Sequence, residues 1–521
     1  MKDRIRLYRL FAEIAAHEAD KELLDMLGSV GFKGTDEDID ILAADYASVF
    51  LAAGMAEGRA AHPCESVYLS SRHIYMQEPC IEVKRSYDKY RLVLSEKYQG
   101  LMADHISAEL SFAAFLLEEK LYVEYKSFMN DHILKWAENW AEDIKAVCKC
   151  EFYKNYAELF SEFLNEEKIK MADDPSCFSV RAERMADIMA ELKKKYKIFA
   201  PKSIKGRGNA RDTIRYAEIE DFSEIVYNAR SSFSPKEIFY PISQTMFYFK
   251  DGMTEEKMID DDREMIILMR PCDINAVKRL DNVFLNNGNA DYYYGRLRDK
   301  IHIWMLECRE SFENCFCVSM AANITENYEA AVRIDDICAL FKIKNKDLLG
   351  YFRNEVPAYF EPEFVSANLK SAAALDIKDR QELKKLIDSP YWNKFDDECI
   401  GCGGCNTVCP TCSCFDTVDV IYDEQSMDGE RKRVWSSCML KDFTRTAGGA
   451  RSRKTPGANM RFKLLHKMFD YRERFSRDTD GHNMCVGCGR CIDRCPKDIS
   501  ILNVLEGANE MIRKGRGDLN E

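Results

Sequence analysis

The 521-residue chain has no apolar run approaching the roughly 20 residues that cross a bilayer. It opens Met1-Lys-Asp-Arg-Ile-Arg on a charged amphipathic segment, without the apolar core of a secretion signal. No membrane span is therefore expected, and the expected compartment is the cytoplasm. Positive charge is in deficit: 75 Lys and Arg stand against 88 Asp and Glu, a net charge of −13. That argues against nucleic acid as a default partner, because phosphate binders display an excess of Lys and Arg. Several signatures are also missing: G-x-x-x-x-G-K-[ST], a complete G-x-G-x-x-G after a strand, G-x-S-x-G, H-E-x-x-H, and the Cys-x-x-Cys-His that attaches c-type haem. Nucleotide, flavin and hydrolytic chemistry have no obvious site, and no catalytic residue is expected. With 46% hydrophobic and 31% charged residues the chain is neither disordered nor collagen-like. Its length exceeds what one core supports, so two or three domains are expected.

Cysteine is what the sequence has in abundance. There are 21, an odd and clustered set that does not suit a secreted disulfide scaffold and points to thiolates awaiting metal. Cys399-Ile-Gly-Cys-Gly-Gly-Cys-Asn-Thr-Val-Cys-Pro returns 86 residues later as Cys485-Val-Gly-Cys-Gly-Arg-Cys-Ile-Asp-Arg-Cys-Pro. Each copy is C-x2-C-x2-C-x3-C-P. Three thiolates on one tight loop can cap three irons of a cubane, and the glycines let backbone N–H groups approach the cluster sulfurs. The fourth cysteine ligates the other cluster. That rule assigns Cys399, Cys402, Cys405 and Cys495 to one [4Fe-4S] cluster and Cys409, Cys485, Cys488 and Cys491 to a second. Zinc ribbons stop at two cysteines per knuckle and need no terminal Cys-Pro.

A looser group comprises Cys272, in Arg-Pro-Cys-Asp, and Cys308, Cys315 and Cys317, in Glu-Cys-Arg-Glu-Ser-Phe-Glu-Asn-Cys-Phe-Cys. Both segments follow strand-like runs, so their loops could meet at one end of a sheet. Four soft thiolates there would suit a third [4Fe-4S] cluster; zinc or no metal are the alternatives. Cys412, Cys414 and Cys438 are expected as buried, unligated thiols, or else as lining for the cluster site. Cys64, Cys80, Cys148, Cys150, Cys177 and Cys338 are expected to be packing residues.

The expected architecture is multidomain: an all-α N-terminal bundle at 1–185, a mixed α/β or α+β middle domain at 190–390, and a C-terminal helical, ferredoxin-like dicluster domain at 391–521. In the bundle, Leu7, Leu10, Phe11 and Ile14 recur at helical spacing, as do Ile133, Trp136, Ala137 and Trp140, and Tyr156, Leu159, Phe160 and Phe163. Only Pro63, Pro79 and Pro175 lie in this region, the first two beside expected loops at 61–66 and 78–81. A polar stretch from Lys193 through Pro201 to Asp212, with Gly206 and Gly208, marks a boundary. Strand-like runs follow at Glu237–Ile242, Thr245–Phe249, Met265–Met269 and Ile301–Leu306. About 75 residues separate the two cysteine motifs, which implies a helical insertion or a helical ferredoxin architecture. Residues 426–475 hold 13 Lys and Arg against 5 Asp and Glu, a local net of +8 that leaves −21 elsewhere. This stretch reads as a solvated helical face, a docking surface for an acidic redox partner, or a positive field around anionic clusters.

From about residue 190 onward the chain resembles the A subunit family of anaerobic sulfite reductase. The resemblance is carried by Ile198-Phe-Ala-Pro, Arg270-Pro-Cys-Asp-Ile-Asn-Ala, Glu307 to Met320, Cys399 to Asp419 with Cys-Pro-Thr-Cys-Ser-Cys-Phe, Arg433-Val-Trp-Ser-Ser-Cys-Met, Leu465-His-Lys and Met484 to Cys491. It implies an iron-sulfur electron carrier that works with a flavin subunit oxidising NADH and a sirohaem subunit reducing sulfite to sulfide. Related beta subunits of sulfhydrogenases share parts of the pattern. Sulfite reduction on this chain itself is not expected, because the Cys-x5-Cys and Cys-x3-Cys of sirohaem enzymes occur here only nested within the ferredoxin motifs.

Residues 1 to about 180 resemble TorD-like chaperones that mature molybdenum-cofactor oxidoreductases. The matching pieces are Asp45-Tyr46, Phe50-Leu51, Pro63-Cys-Glu-Ser-Val-Tyr, Tyr98-Gln-Gly, Asp104-His105, Glu109-Leu110-Ser-Phe112 and the Trp136 helix. The resemblance implies that Asp104 and His105 lie near a peptide-binding region; an N-cap and a packed imidazole are the alternative. It also opens a second reading, maturation or docking of another redox enzyme.

Overall fold

The computed structural model describes residues 2–29, 32–51, 60–93, 100–119, 121–171, 176–206, 211–257, 261–335, 338–475 and 481–517. Pro175, Tyr98 and Gly208 lie outside the described residues. The chain divides into two compact units, Met1–Ser179 with Val356–Tyr359, and Val180–Glu355 with Phe360–Glu521. Residues expected in the middle domain and in the cysteine module share the second unit.

The first unit is helical: α1 (Lys2–Ala16), α2 (Lys21–Ser29), α3 (Ile39–Phe50), α4 (Glu65–Leu69), α5 (Glu78–Lys89), α6 (Ile106–Glu118), α7 (Tyr122–Phe128), α8 (Leu134–Val147) and α9 (Glu151–Met171). Strand β1 (Cys177–Arg181) carries the chain into the second unit. The buried face of α1 is Tyr8, Phe11, Ala12 and Ala15, while Leu7 of the expected stripe is 41% exposed. Glu167 explains the rotation. It takes hydrogen bonds from Arg4 Nε at 2.9 Å and from the Tyr8 hydroxyl at 2.9 Å, which turns the Arg4/Tyr8 side of α1 inward. Ile133, Trp136, Ala137 and Trp140 are fully buried, as their spacing predicts. Their indoles are satisfied, Trp136 Nε1 on Glu109 at 3.2 Å and Trp140 Nε1 on the Ala61 carbonyl at 3.0 Å. Leu159 is exposed, unlike Tyr156, Phe160 and Phe163 around it. Pro79 lies in the first turn of α5, not in a loop, where its missing N–H costs nothing.

In the second unit, α10 (Ala182–Lys193) precedes β2 (Tyr196–Ile204) and β3 (Thr213–Glu218). A further antiparallel pair, β4 (Ser243–Lys250) and β5 (Met253–Glu256), is followed by β6 (Glu264–Met269), β7 (Ile301–Leu306), β8 (Ala330–Ile334) and β9 (Cys338–Ile343). The order β9-β8-β7-β6-β2-β3 builds a mixed sheet whose inner strands β2, β6, β7 and β8 are parallel. Met265–Met269 and Ile303–Leu306 are buried throughout, the uninterrupted apolar run of a strand covered on both faces. After β6 the chain turns at Arg270 into α12 (Pro271–Phe284); after β7 it enters the Cys308 loop. Both loops therefore open at the carboxyl ends of adjacent parallel strands.

Two expectations change here. Glu237–Ile242 is not a strand, because Lys236–Phe239 forms the one-turn helix α11 after Pro235. A short β-branched and aromatic run does not by itself separate a strand from a buried turn. The insertion between the motifs is also not wholly helical. Helix α13 (Tyr292–Arg298) precedes β7; after β9 the chain returns to the first unit as β10 (Val356–Pro357), antiparallel to β1, and then, past α14 (Arg380–Asp388), α15 (Lys394–Glu398) and α16 (Gly404–Thr407), the insertion begins as a hairpin, β11 (Phe415–Asp423) and β12 (Asp428–Trp435). The hairpin joins β4 and β5 in an antiparallel sheet of order β11-β12-β4-β5. Helices α17 (Pro456–Leu465), a π turn at His466–Asp470, and α18 (Tyr471–Arg474) complete the insertion before α19 (Arg490–Asp493) and α20 (Ile501–Arg516).

A shared apolar core of Phe316, Met320, Trp392, Phe395, Met460, Leu464, Met468, Val504 and Leu505 packs around Cys399, Cys405, Cys485 and Cys491. Of the eight motif thiols Cys488 is buried, Cys402 is exposed and the rest are half-buried.

Candidate metal centre

The two cysteine motifs fold as superimposable loops. Gly401 and Gly487 both have φ 65°, and Gly403 and Gly489 both have φ 73° and cap the one-turn helices α16 and α19. These left-handed positions require glycine, and a Cβ at Gly489 would run into the Asn314 carbonyl. The turn aims backbone donors at sulfur: the Gly487 N–H points to Cys485 Sγ at 3.4 Å and the Ile499 N–H to Cys495 Sγ at 3.3 Å.

Cys399, Cys402, Cys405 and Cys495 line one cavity together with Ile400, Met439, Met460, Ile501 and Val504, and Cys491 and Lys463 share its lining. Cys409, Cys485, Cys488 and Cys491 form a second neighbourhood. Burial pushes the Cys485 thiol up to about 12, opposed by the Gly487 N–H and raised further by Cys409 and Cys488. Cys409 is held well below the usual thiol range by a hydrogen bond from Cys412, with Lys467 and Thr411 adding to it.

Cys272, in the first turn of α12, meets Cys317 and Cys488, while Cys308 neighbours Cys315. The looser cysteine group therefore comes together at the ends of β6 and β7 and adjoins the second motif. The junction is built in detail. Phe316 N–H donates to the Gly487 carbonyl at 2.8 Å, and Arg230 bridges Cys315 Sγ at 3.6 Å to the Cys488 carbonyl. Arg490 makes a buried two-pronged ion pair with Asp273 at 2.6 and 2.7 Å. Burial raises Cys317 to about 11, against an Asn368 N–H at 3.6 Å from its sulfur.

Cys412 and Cys438 are buried and Cys414 half-buried. Cys438 hydrogen-bonds Cys414, holding it at about 6, and takes a hydrogen bond from Asn406 at 3.1 Å. Cys412 lies beside Cys409 at the second site, whereas Cys438 lies beside Asn406 of the first motif. Among the described residues no group of three or more His, Cys, Asp or Glu side chains is arranged to hold a single metal ion. The donor chemistry suits an iron-sulfur group: soft thiols round an apolar space, with N–H groups directed at sulfur.

Sequence reasoning missed the cations. Lys236, Lys463 and Lys467 are buried among these thiols, and Arg230 and Arg490 tie the looser group to the second motif. The signal that could have exposed two of them is Lys463 and Lys467 one turn apart within the mostly apolar stretch Met460 to Phe469.

In the helical unit Asp104 accepts the Ser66 N–H at 2.9 Å, and His105 caps α6 by accepting the Ser107 N–H at 3.2 Å. Asp45 accepts the Lys149 and Cys150 N–H groups at 2.9 Å. Each of these residues secures a helix start. Beside them lies a buried set to which His132, unmarked in the sequence, belongs: Glu65 meets His132 at 3.0 Å, and Glu109 is pushed well above the usual carboxylate range by burial and by Glu65.

Residues 398–499 match the family described as 4Fe-4S dicluster domain. The chain carries a 4Fe-4S dicluster domain. Residues 13–142 match the nitrate reductase delta subunit family. Sulfhydrogenase 2 subunit beta of Pyrococcus furiosus is 28% identical over 315 residues, 57% of this chain and 90% of that protein. A solved structure described as a redox enzyme maturation protein from Archaeoglobus fulgidus is 20% identical and covers 31% of this chain and 93% of its own, with a TM-score of 0.23. That score establishes no shared fold. No helix among the described residues is long and apolar enough to cross a membrane.

Proposed function

We propose that the chain is the iron-sulfur electron-transfer subunit of an oxidoreductase complex, taking electrons from a flavin subunit that oxidises NADH and passing them to a separate sirohaem subunit that reduces sulfite. The observation that carries the electron-transfer part is the adjacency of three thiol groups: Cys272, Cys308, Cys315 and Cys317 adjoin the second motif through Cys488, and that motif contributes Cys491 to the lining of the first cavity. In this reading Cys399, Cys402, Cys405 and Cys495 hold one [4Fe-4S] cluster, Cys409, Cys485, Cys488 and Cys491 the second, and the looser group a third. Such clusters store and pass single electrons. The chain's own residues exclude water through the apolar core, fix the thiols with glycine-capped loops, and direct N–H groups at sulfur, all of which tune potential. Iron and labile sulfide on anaerobically prepared protein test the count. About 12 iron atoms per chain are expected, and about 8 would remove the third cluster.

The acceptor has a second reading. The similarity to a sulfhydrogenase beta subunit favours a sulfhydrogenase-type complex. Co-purification separates the two: a sirohaem protein travelling with the chain supports sulfite reduction, and a nickel protein supports the alternative. The helical unit is proposed to dock or mature a redox partner, supported by the match of residues 13–142. If a chain lacking residues 1–175 still carries electrons at full rate in the reconstituted complex, the helical unit serves assembly and not electron flow.

A further inference from the structure

Lys463 in α17 and Lys467 in the π turn that follows it lie one helical turn apart, and both are buried, at 6% and 5% exposure. Neither is ion-paired with a carboxylate among the described residues. Lys463 enters the cavity of Cys399, Cys402, Cys405 and Cys495. Lys467 turns to the other site: its Nζ donates to Thr411 Oγ1 at 2.9 Å, and that hydroxyl lies 3.4 Å from Cys409 Sγ. The Lys467 carbonyl also accepts the Cys485 N–H at 3.2 Å, which fixes its backbone against the second loop. Arg490, another buried cation beside these thiols, differs because Asp273 neutralises it.

An ammonium taken out of water is costly unless negative charge meets it. The negative charge facing these two ammonium groups comes from the thiolates and whatever they bind. We infer that Lys463 and Lys467 set the reduction potentials of the two dicluster sites unequally: Lys463, which shares one cavity lining with Cys405 and Cys491, acts most on the Cys399/Cys402/Cys405/Cys495 site and less on its neighbour, and Lys467 acts on the Cys409/Cys485/Cys488/Cys491 site. The inference rests on the cluster assignment proposed above. Reduction adds one negative charge to a site, and a fixed cation a few ångströms away stabilises that state strongly where the dielectric is low. One helical turn of separation lets Lys467 reach Thr411 at the second site while Lys463 lines the first. Lys236 adds to the field at the second site only. It donates to the Cys412 carbonyl at 2.8 Å and lies 4.0 Å from the Trp435 ring.

The test is an EPR-monitored redox titration of the full chain with its clusters, comparing Lys463→Gln, Lys467→Gln and the charge-retaining Lys463→Arg and Lys467→Arg. The two signals are told apart by which one changes in Cys402→Ser. Lys463→Gln should shift the first site's potential to more negative values by more than it shifts the second's; Lys467→Gln should shift the second site's and leave the first in place, and both arginine variants should stay near the parent. Iron lost from a glutamine variant but kept in its arginine counterpart also supports the inference, since charge is then what holds the cluster. Unmoved potentials, equal shifts at both sites, or iron lost from glutamine and arginine variants alike would overturn the inference. Parent protein without dicluster signals would instead refute the cluster assignment, so the two failures are distinguishable.

Discussion

His105 shows how one buried side chain ties stability to pH. Its imidazole accepts the Ser107 N–H, which requires a neutral ring, and burial with nearby His17 lowers its pKa to about 3. A group whose folded pKa lies below its unfolded value contributes stability above the unfolded pKa, about 6.5 for His, and loses it as pH falls toward the folded value. Acidification from pH 6.5 to 3 should therefore lower the melting point of the helical unit. His105→Asn, which retains a capping acceptor, should remove most of this dependence. His105→Ala should cost about 1 kcal/mol at neutral pH. Far-UV circular dichroism melts across that range check both, and a parent-like acid slope in the asparagine variant would contradict the assignment. The sequence offered His105 as either a packed imidazole or a peptide-site residue, and the structure makes it the cap of α6. Nothing in a linear pattern separates the two, because the deciding fact is the burial supplied by helices distant in sequence.

At the level of elements, legibility followed how local the cause was. The parallel strands were readable because β6 and β7 are apolar on both faces, and the cysteine loops because their spacing and glycines are local. The β11–β12 hairpin was missed because most of β11 faces solvent, so no alternation of buried and exposed residues marks it. What holds it is pairing with β4, some 185 residues earlier, through Gly429 opposite Phe249 and Glu430, whose carboxylate takes a hydrogen bond from Thr245. Gly429 is the tight point. A Cβ there would meet the Val420 carbonyl and come within 2.6 Å of the Phe249 ring. Gly429→Val should cost about 1–3 kcal/mol, as overpacking does. Hydrogen exchange should then show lost protection in β4, β11 and β12 with β6 and β7 unaffected; uniform protection would mean that the sheet absorbs the side chain.

Across the whole molecule, charge and ligation meet at the same place. The basic stretch 426–475 is not simply a solvated face. Arg433 is buried against Asp291, and Lys463 and Lys467 are buried at the thiols, so part of its positive charge is directed inward. The same geometry makes cross-ligation testable. Cys495 belongs by sequence to the second motif but lines the cavity of Cys399, Cys402 and Cys405, whereas Cys409 of the first motif neighbours Cys485 and Cys488. If ligands are exchanged, Cys495→Ala should alter the EPR signal that also responds to Cys402→Ser, and Cys409→Ala the signal that responds to Cys488→Ser. If each motif instead binds its own cluster, the pairing reverses and Cys495→Ala follows Cys488→Ser. Exchange also predicts a mechanical consequence. Each cluster would then staple two loops 86 residues apart, so removing iron with a chelator should loosen both motifs together, read as simultaneous loss of amide protection at 399–409 and 485–495. Independent loosening of one motif would point to ligation within each loop.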